Sequence, residues 1–255
     1  MLNKRLLLKQ FDMNFGLILA GGTGQRMRTS GMPKQFLNVY GKPIIIYTLE
    51  KFDTCEEVDK IVIACNSNYI DFMNKLISNY PFKKEIAVIV GGKDRQGSIK
   101  NGIDHIFANG GKSEDIIIIH DGVRPLIDPT IISENIHTAQ RYGCAMTVRP
   151  VIESVVITDQ ETCEFGDFEK RADTYSLTAP QTFRLSLLID TYDKTEDADS
   201  PIPLLDAALA YTYLGNKMPL VKEYNHNIKI TTPEDYYILK AILELQENKN
   251  VFGLI

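Results

Sequence analysis

LILAGGTGQRMRTSGMPKQF, from Leu17 to Phe36, decides how the chain is read. An apolar run stops in Gly21, Gly22 and Gly24, and Arg26, Arg28 and Lys34 follow closely. A buried strand that ends in glycine and then recruits positive charge suits a loop that wraps an anion at the carboxyl end of an α/β strand. Two common phosphate loops do not fit. G-x-G-x-x-G takes Gly22 and Gly24 but meets Met27 at its third position, and the Gly-Lys-Ser/Thr of the P-loop does not occur there. A plain glycine turn flanked by solvated basic residues is the alternative that the loop alone leaves open.

Outward from this stretch, short apolar runs alternate with helical periodicity. Phe15–Gly21, Lys60–Cys65, Ile86–Gly92 and Asp115–Gly122 are rich in β-branched residues and apolar on both faces, as strands between two helical layers must be. Ile99, Ile103, Ile106 and Phe107 mark one helix face, and Pro129 opens a second helix that Gly143 stops. The alternation predicts an α/β, doubly wound, mostly parallel sheet. After Val151 the rhythm breaks. Val151–Asp159 reads as a strand, and Gln160–Phe183 is polar and irregular, suited to a surface loop, an arm or a lid. Helices follow over Arg184–Thr195 and Leu204–Leu214, then a short strand near Leu220. A last helix starts with Thr232 as N-cap, Pro233 at the first position and Asp235 three residues past the cap. No repeat or Gly/Ser linker divides the chain. One domain over 15–255 with an N-terminal extension over 1–14 is the economical organisation.

The totals exclude several classes. With 255 residues, 44% hydrophobic and 24% charged, the composition is that of a globular protein. No run approaches the roughly 18 apolar residues of a membrane span, and the start has only three consecutive leucines where a signal peptide needs about 7–15 apolar residues. Cys55, Cys65, Cys144 and Cys163 are scattered without CxxC spacing, which argues against a disulfide framework or zinc and for a cytoplasmic setting. A net charge of −5 without a basic stripe argues against nucleic acid. An acidic chain that binds an anion must gather its positive charge locally.

Five ordered motifs then carry a resemblance over Phe15 to about Leu245: LAGGTGQRM…PKQF, GGKDRQGSI (Gly91–Ile99), HDGVRP (His120–Pro125), TAPQTF (Thr178–Phe183) and NIKITTPED (Asn227–Asp235). Together they resemble the cytidylyltransferases that act on polyol phosphates. The resemblance implies a Rossmann-like fold of the nucleotide-diphospho-sugar transferase type with a protruding β-arm. It implies attack by a substrate phosphate oxygen on the α-phosphorus of CTP, with Mg²⁺ and release of pyrophosphate. Arg26, Lys34 and Lys229 would be the catalytic cations. Leu19, Ala20, Gly21, Gly22, Gly24, Gly91, Gly92, Arg95, Ser98 and Gly122 would surround the nucleotide, with Lys93 where the family often has Asp. Asp121, Arg124, Ser154 and Arg171 would meet the polyol phosphate, Asp121 also serving as a metal ligand. Ser154 and Arg171 lie on the expected arm at about 151–183, which in the family reaches a neighbouring subunit, so a homodimer is implied. His120 is assigned a structural role, because a phosphate nucleophile is already ionised at neutral pH.

One departure is Leu205-Asp206, where the family commonly has Thr-Asp. LAGGTG, HDGVRP with Val123, SIKNGI and APQTFR look more like the branch that uses D-ribitol 5-phosphate, which would serve teichoic-acid or capsule precursors. The branch that uses 2-C-methyl-D-erythritol 4-phosphate for isoprenoid precursors is the alternative. An NAD-type oxidoreductase would need the missing third glycine. A non-catalytic nucleotide-binding homologue would normally have lost Arg26, Lys34 or Lys229, and all three are present.

Overall fold

The computed structural model describes residues 13–22, 32–158, 169–196, 206–224 and 227–252. The sheet is built from β1 (Asn14–Ala20), β4 (Lys60–Cys65), β5 (Glu85–Val90), β6 (Ile116–Asp121), β7 (Cys144–Pro150), β8 (Tyr175–Arg184) and β9 (Leu220–Lys222). Their order is β5-β4-β1-β6-β8-β7-β9. Every described pairing is parallel except those of β8, which runs antiparallel to both β6 and β7. A small hairpin, β2 (Asn38–Val39) with β3 (Lys42–Pro43), stands apart.

The period-2 alternation of the strands sorts their side chains onto two buried faces. Ile18, Ile61, Ile63, Ile116 and Ile118 pack on one face against α1 (Ile44–Thr54), α2 (Ile70–Ile77) and α4 (Pro129–Tyr142). Phe15, Leu17, Val62, Ile117 and Ile119 pack on the other against α3 (Arg95–Ala108), α5 (Leu185–Thr195) and α6 (Ala207–Tyr213). Runs apolar on both faces are therefore the consequence of a sheet covered on both sides. The last helix, α7 (Pro233–Phe252), places Leu239 in a third cluster with Val39, Ile44, Val123, Leu126 and Ile230. Its start is the expected reciprocal cap. Asp235 accepts from the backbone N–H of Thr231 and Thr232 at 2.7 and 2.8 Å, and the Thr232 hydroxyl accepts from Asp235 N at 3.5 Å. Gly143, at φ +88°, ends α4 where the sequence places its stop.

Two expectations need correction. Over its described residues, Val151–Asp159 forms no strand beyond an isolated bridge at Val156, and Ile152 is 83% exposed. The end of the expected arm at 151–183 is a core strand instead, since β8 begins at Tyr175 and Thr178, Ala179, Gln181, Thr182 and Phe183 are buried. Much of its polarity is satisfied internally, Thr182 Oγ1 excepted. Thr178 Oγ1 donates to the Thr147 carbonyl at 3.1 Å, and Thr147 Oγ1 donates to the Pro180 carbonyl at 2.8 Å. Pro180 sits where the β7–β8 register shifts, so its missing N–H breaks no regular ladder. At the start of the described chain, Met13 N donates to Asp115 Oδ1 at 2.8 Å and β1 starts at Asn14. No helix among the described residues is long and apolar enough to cross a membrane.

Candidate active site

The sheet order reverses beside β1. The chain steps from β1 outward through β4 to β5, then returns to β6 on the other side of β1. The connections diverge there and leave a crevice beyond the carboxyl ends of the two strands, the usual ligand position in such sheets. A cavity of about 340 Å³ opens at that point. Leu19, Ala20, Gly21 and Gly22 line it from the end of β1, and Asp121 and Val123 from the end of β6. Lys34, Gln35, Gly92, Lys93, Asp94, Arg95, Ser98 and Lys229 complete the lining. Four cations and two carboxylates thus face one cavity in a chain whose overall charge is −5.

Short local ties shape its walls. Gly91 N donates to the Cys65 carbonyl at 2.7 Å, Gly92 N to Ser98 Oγ at 3.0 Å, and Ser98 Oγ to the Asp94 carbonyl at 2.8 Å. A Cβ on Gly92 would lie 2.2 Å from the Gly97 backbone carbon, so the turn closes only on glycine. Asp94 caps α3 by accepting from Gly97 N at 2.8 Å. The first turn of α3 therefore points its partial positive charge at the cavity. Opposite, the buried Gln35 donates through Nε2 to the Ala20 carbonyl at 2.8 Å, tying the short turn that carries Lys34 to the end of β1.

Asp121 is the hub. Arg95 Nη1 lies 2.7 Å from its Oδ1, and Arg124 Nε and Lys229 Nζ each lie 3.1 Å from its Oδ2. Burial alone would raise the pKa of this carboxyl. The charges of Arg95, Lys229 and Arg124 outweigh burial and hold it well below the usual carboxylate range. Arg95 also reaches toward Asp206, with Nε 3.5 Å from Oδ2, and Asp206 in turn caps α6 and accepts from Gln181 Nε2. Three cations around one buried carboxylate leave an excess of positive charge for an incoming anion. A divalent ion ligated by Asp121 does not fit this arrangement, since both its oxygens already face cations. Among the described residues, no three His, Cys, Asp or Glu side chains gather into a metal site. His120 is fully buried, its Nε2 lies 3.1 Å from the Arg124 carbonyl, and burial lowers its pKa to about 4. It is a neutral donor that shapes the loop, as its structural assignment expects.

The structure brings together most of the residues that the sequence singles out. Leu19, Ala20, Gly21, Gly22, Lys34, Gly92, Arg95, Ser98, Asp121 and Lys229 share the cavity. Gly24, Arg26 and Leu205 lie outside the described residues. Gly91 supports the wall from behind. Gly122 belongs to the core rather than the lining: a Cβ there would meet Ile45 Cδ1 at 2.9 Å, and its carbonyl accepts from Thr48 Oγ1. Arg124 acts on Asp121 from behind the cavity wall. Ser154 and Arg171 are exposed and do not line the cavity of their own chain. Gln35 lies inside the quoted PKQF motif but is not singled out there. The role of Asp206 has no local signal, because its link to Arg95 depends on the tertiary fold.

Comparison with known proteins agrees with this geometry. The family model described as IspD, 2-C-methyl-D-erythritol 4-phosphate cytidylyltransferase, matches residues 15–245. A ribitol-5-phosphate cytidylyltransferase of Vibrio parahaemolyticus is 40% identical over 241 residues, covering 94% of this chain and 100% of the relative. A protein of the same name from Streptococcus agalactiae serotype V is 38% identical over 246 residues, covering 95% and 100%. In solved structures, 4-diphosphocytidyl-2C-methyl-D-erythritol synthase from Anaerococcus prevotii superposes with a TM-score of 0.77 at 22% identity, covering 91% of this chain and 96% of that one. The Francisella tularensis 2-C-methyl-D-erythritol 4-phosphate cytidylyltransferase gives 0.72 at 25% identity, covering 90% and 99%. Because the match spans every element that lines the cavity, the chain belongs to the IspD family and is a cytidylyltransferase, an enzyme of the nucleotidyltransferase class.

Proposed function

We propose that the protein transfers the cytidylyl group of CTP to D-ribitol 5-phosphate, giving CDP-ribitol and pyrophosphate. A phosphate oxygen of the polyol forms a bond to the α-phosphorus, the α–β bridging bond breaks, and pyrophosphate leaves with that electron pair. The nucleophile is ionised at neutral pH, since the second phosphate pKa is about 6, so no general base is needed. What the reaction needs is two mutually repelling anions held in line and charge to meet the transition state. The observation that carries this reading is the ring of Arg95, Arg124 and Lys229 on Asp121 at the switch point. Lys34, Lys229 and the amino end of α3 face the triphosphate and the acceptor phosphate in this reading, and the family resemblance adds Arg26 as a further cation. A divalent ion would travel on the triphosphate oxygens, as Mg²⁺ commonly does.

The curated relatives support ribitol as the polyol, because both carry that substrate in their names at 40% and 38% identity. The test is pyrophosphate release from CTP with D-ribitol 5-phosphate and 2-C-methyl-D-erythritol 4-phosphate offered in parallel. We expect kcat/KM for the pentitol to exceed the other by at least about tenfold, a gap of about 1.4 kcal/mol in transition-state binding. The reverse preference would move the enzyme to the substrate in its family's name.

The segment before β8 supports a homodimer in which each arm completes the other subunit's site. Ile152, Val156 and Ile157 expose 83, 44 and 53% of their surface there, and Ser154 and Arg171 stand on the same segment. Mixing inactive Lys229→Ala and Arg171→Ala subunits and allowing exchange should restore roughly a quarter of wild-type activity, because half the dimers then hold one intact site. An inactive mixture after verified exchange would mean that the arm does not act across subunits.

A further inference from the structure

We infer that Asn227 is a positioning residue for the transfer: it fixes the short segment that presents Lys229 to Asp121 and gives Arg124 its second anchor. The inference rests on the role proposed for Lys229.

Asn227 is 1% exposed, and its amide nitrogen donates to two acceptors, the Ala179 carbonyl at 2.7 Å and Glu223 Oε2 at 2.9 Å. One bond ties the segment to the core strand β8, the other to the end of β9. Its own carbonyl accepts from Arg124 Nη1 at 2.8 Å, while Arg124 Nε holds Asp121 Oδ2 at 3.1 Å. Three residues on, Ile230 N donates to the Val123 carbonyl at 2.9 Å. Lys229 therefore projects from a segment pinned on both sides to the loop after β6, with Nζ 3.1 Å from Asp121.

The pin at Ile230 uses backbone alone and survives any substitution there except proline. The pin at Asn227 depends on one side chain whose two donors both meet buried acceptors. Glu223 is itself 1% exposed, burial raises the pKa of its carboxyl, and its Oε2 is a buried acceptor fixed in place for the amide. A shift of about 1 Å at a phosphoryl-transfer site costs on the order of 10²-fold in rate. The network is thus an extension of the cation ring into the body of the sheet, running Glu223–Asn227–Arg124–Asp121 on the side away from Arg95 and Asp206.

The experiment compares Asn227→Ala, Lys229→Ala and the double variant in steady-state pyrophosphate release. Asn227→Ala should lower kcat about 10–100-fold and leave the KM for CTP within about threefold, because the nucleotide walls at Gly91–Ser98 do not touch it. In the Lys229→Ala background the same substitution should have at most about a threefold further effect, since it acts largely through that lysine. A residue serving the fold alone would give equal factors in both backgrounds, and that result would overturn the inference. So would a wild-type kcat in Asn227→Ala. Should Asn227→Ala fail to fold, Glu223→Gln keeps the shape and alters only that acceptor. It should lower kcat about 3–10-fold with the same dependence on Lys229, and full activity in it would also overturn the inference. If Lys229→Ala itself kept normal turnover, the proposed role of the lysine would fail first, an outcome distinct from the others.

Discussion

Asp121→Asn should lower turnover about 10²–10³-fold and destabilise the fold by about 3–5 kcal/mol, a drop of roughly 6–20 °C in thermal midpoint. The substitution keeps shape and volume but leaves Arg95 and Arg124 facing each other across a neutral amide. Both are largely buried, with side chains 22% and 12% exposed, so water screens them poorly. Removing one partner of a buried ion cluster is costlier than never having built it. Acid should expose the same interaction. The folded carboxyl titrates well below its unfolded value near 4, so its contribution is complete above that pH and is lost as pH falls below it. His120, whose folded pKa is about 4 against an ordinary 6.5, weakens the fold separately as pH drops through that interval. The gap in stability between wild type and Asp121→Asn should therefore hold between pH 5 and 7 and narrow only below about 4. Thermal melts across that range read it directly. A variant that melts with wild type at pH 7 would remove Asp121 from its place as the hub. CTP should also raise the midpoint of the variant more than that of wild type, because a triphosphate replaces the missing negative charge.

What the sequence made legible follows from where the physics is local. The strand ends at Gly21, Gly91 and Asp121 are readable because a buried parallel strand is a continuous apolar run, and a run that stops in glycine or Asp marks its carboxyl end. Gly21 and Asp121, at two of those ends, line the cavity, whereas the residue-by-residue list of nucleotide contacts rests on the family resemblance. Gly122, which only the resemblance puts among the nucleotide contacts, packs closely against Ile45. β8 is illegible because its hydrogen bonds, not its side-chain polarity, decide its burial: Thr178 and Gln181 look like loop residues until Thr147 and Asp206 are placed beside them. Conversely, Val151–Asp159 has strand-like alternation, yet its described residues form only a single bridge, at Val156. The helix α1 carries little signal of its own at its start. Ile44, Ile45 and Ile46 at the start of α1 are all buried, so no polar face announces a helical period. The ring around Asp121 gathers residues 95, 121, 124 and 229, and only the resemblance to a family brought these to one site before the fold did.

Lys229→Ala should lower kcat about 10²–10³-fold while moving the thermal midpoint by less than about 2 °C. The contrast with Asp121 comes from exposure: the lysine side chain is 39% exposed and lines the cavity, so its loss leaves a solvated gap, and Asp121 keeps both arginines. Arginine should restore little at this position, because a planar fork does not replace a compact ammonium charge. One ambiguity needs its own experiment, since a lysine beside a carboxylate can serve either the substrate or its neighbour. If Lys229 only balanced Asp121, removing both charges would return the ring to balance, and the double variant Asp121→Asn/Lys229→Ala would recover activity over either single variant. If Lys229 meets the phosphoryl group in flight, the double variant stays at or below the lower of the two. The geometry favours the second result. Arg95 and Arg124 already pair both oxygens of Asp121, so a third cation exceeds what one carboxylate needs, and the surplus faces the cavity where a second phosphate must be brought against the first.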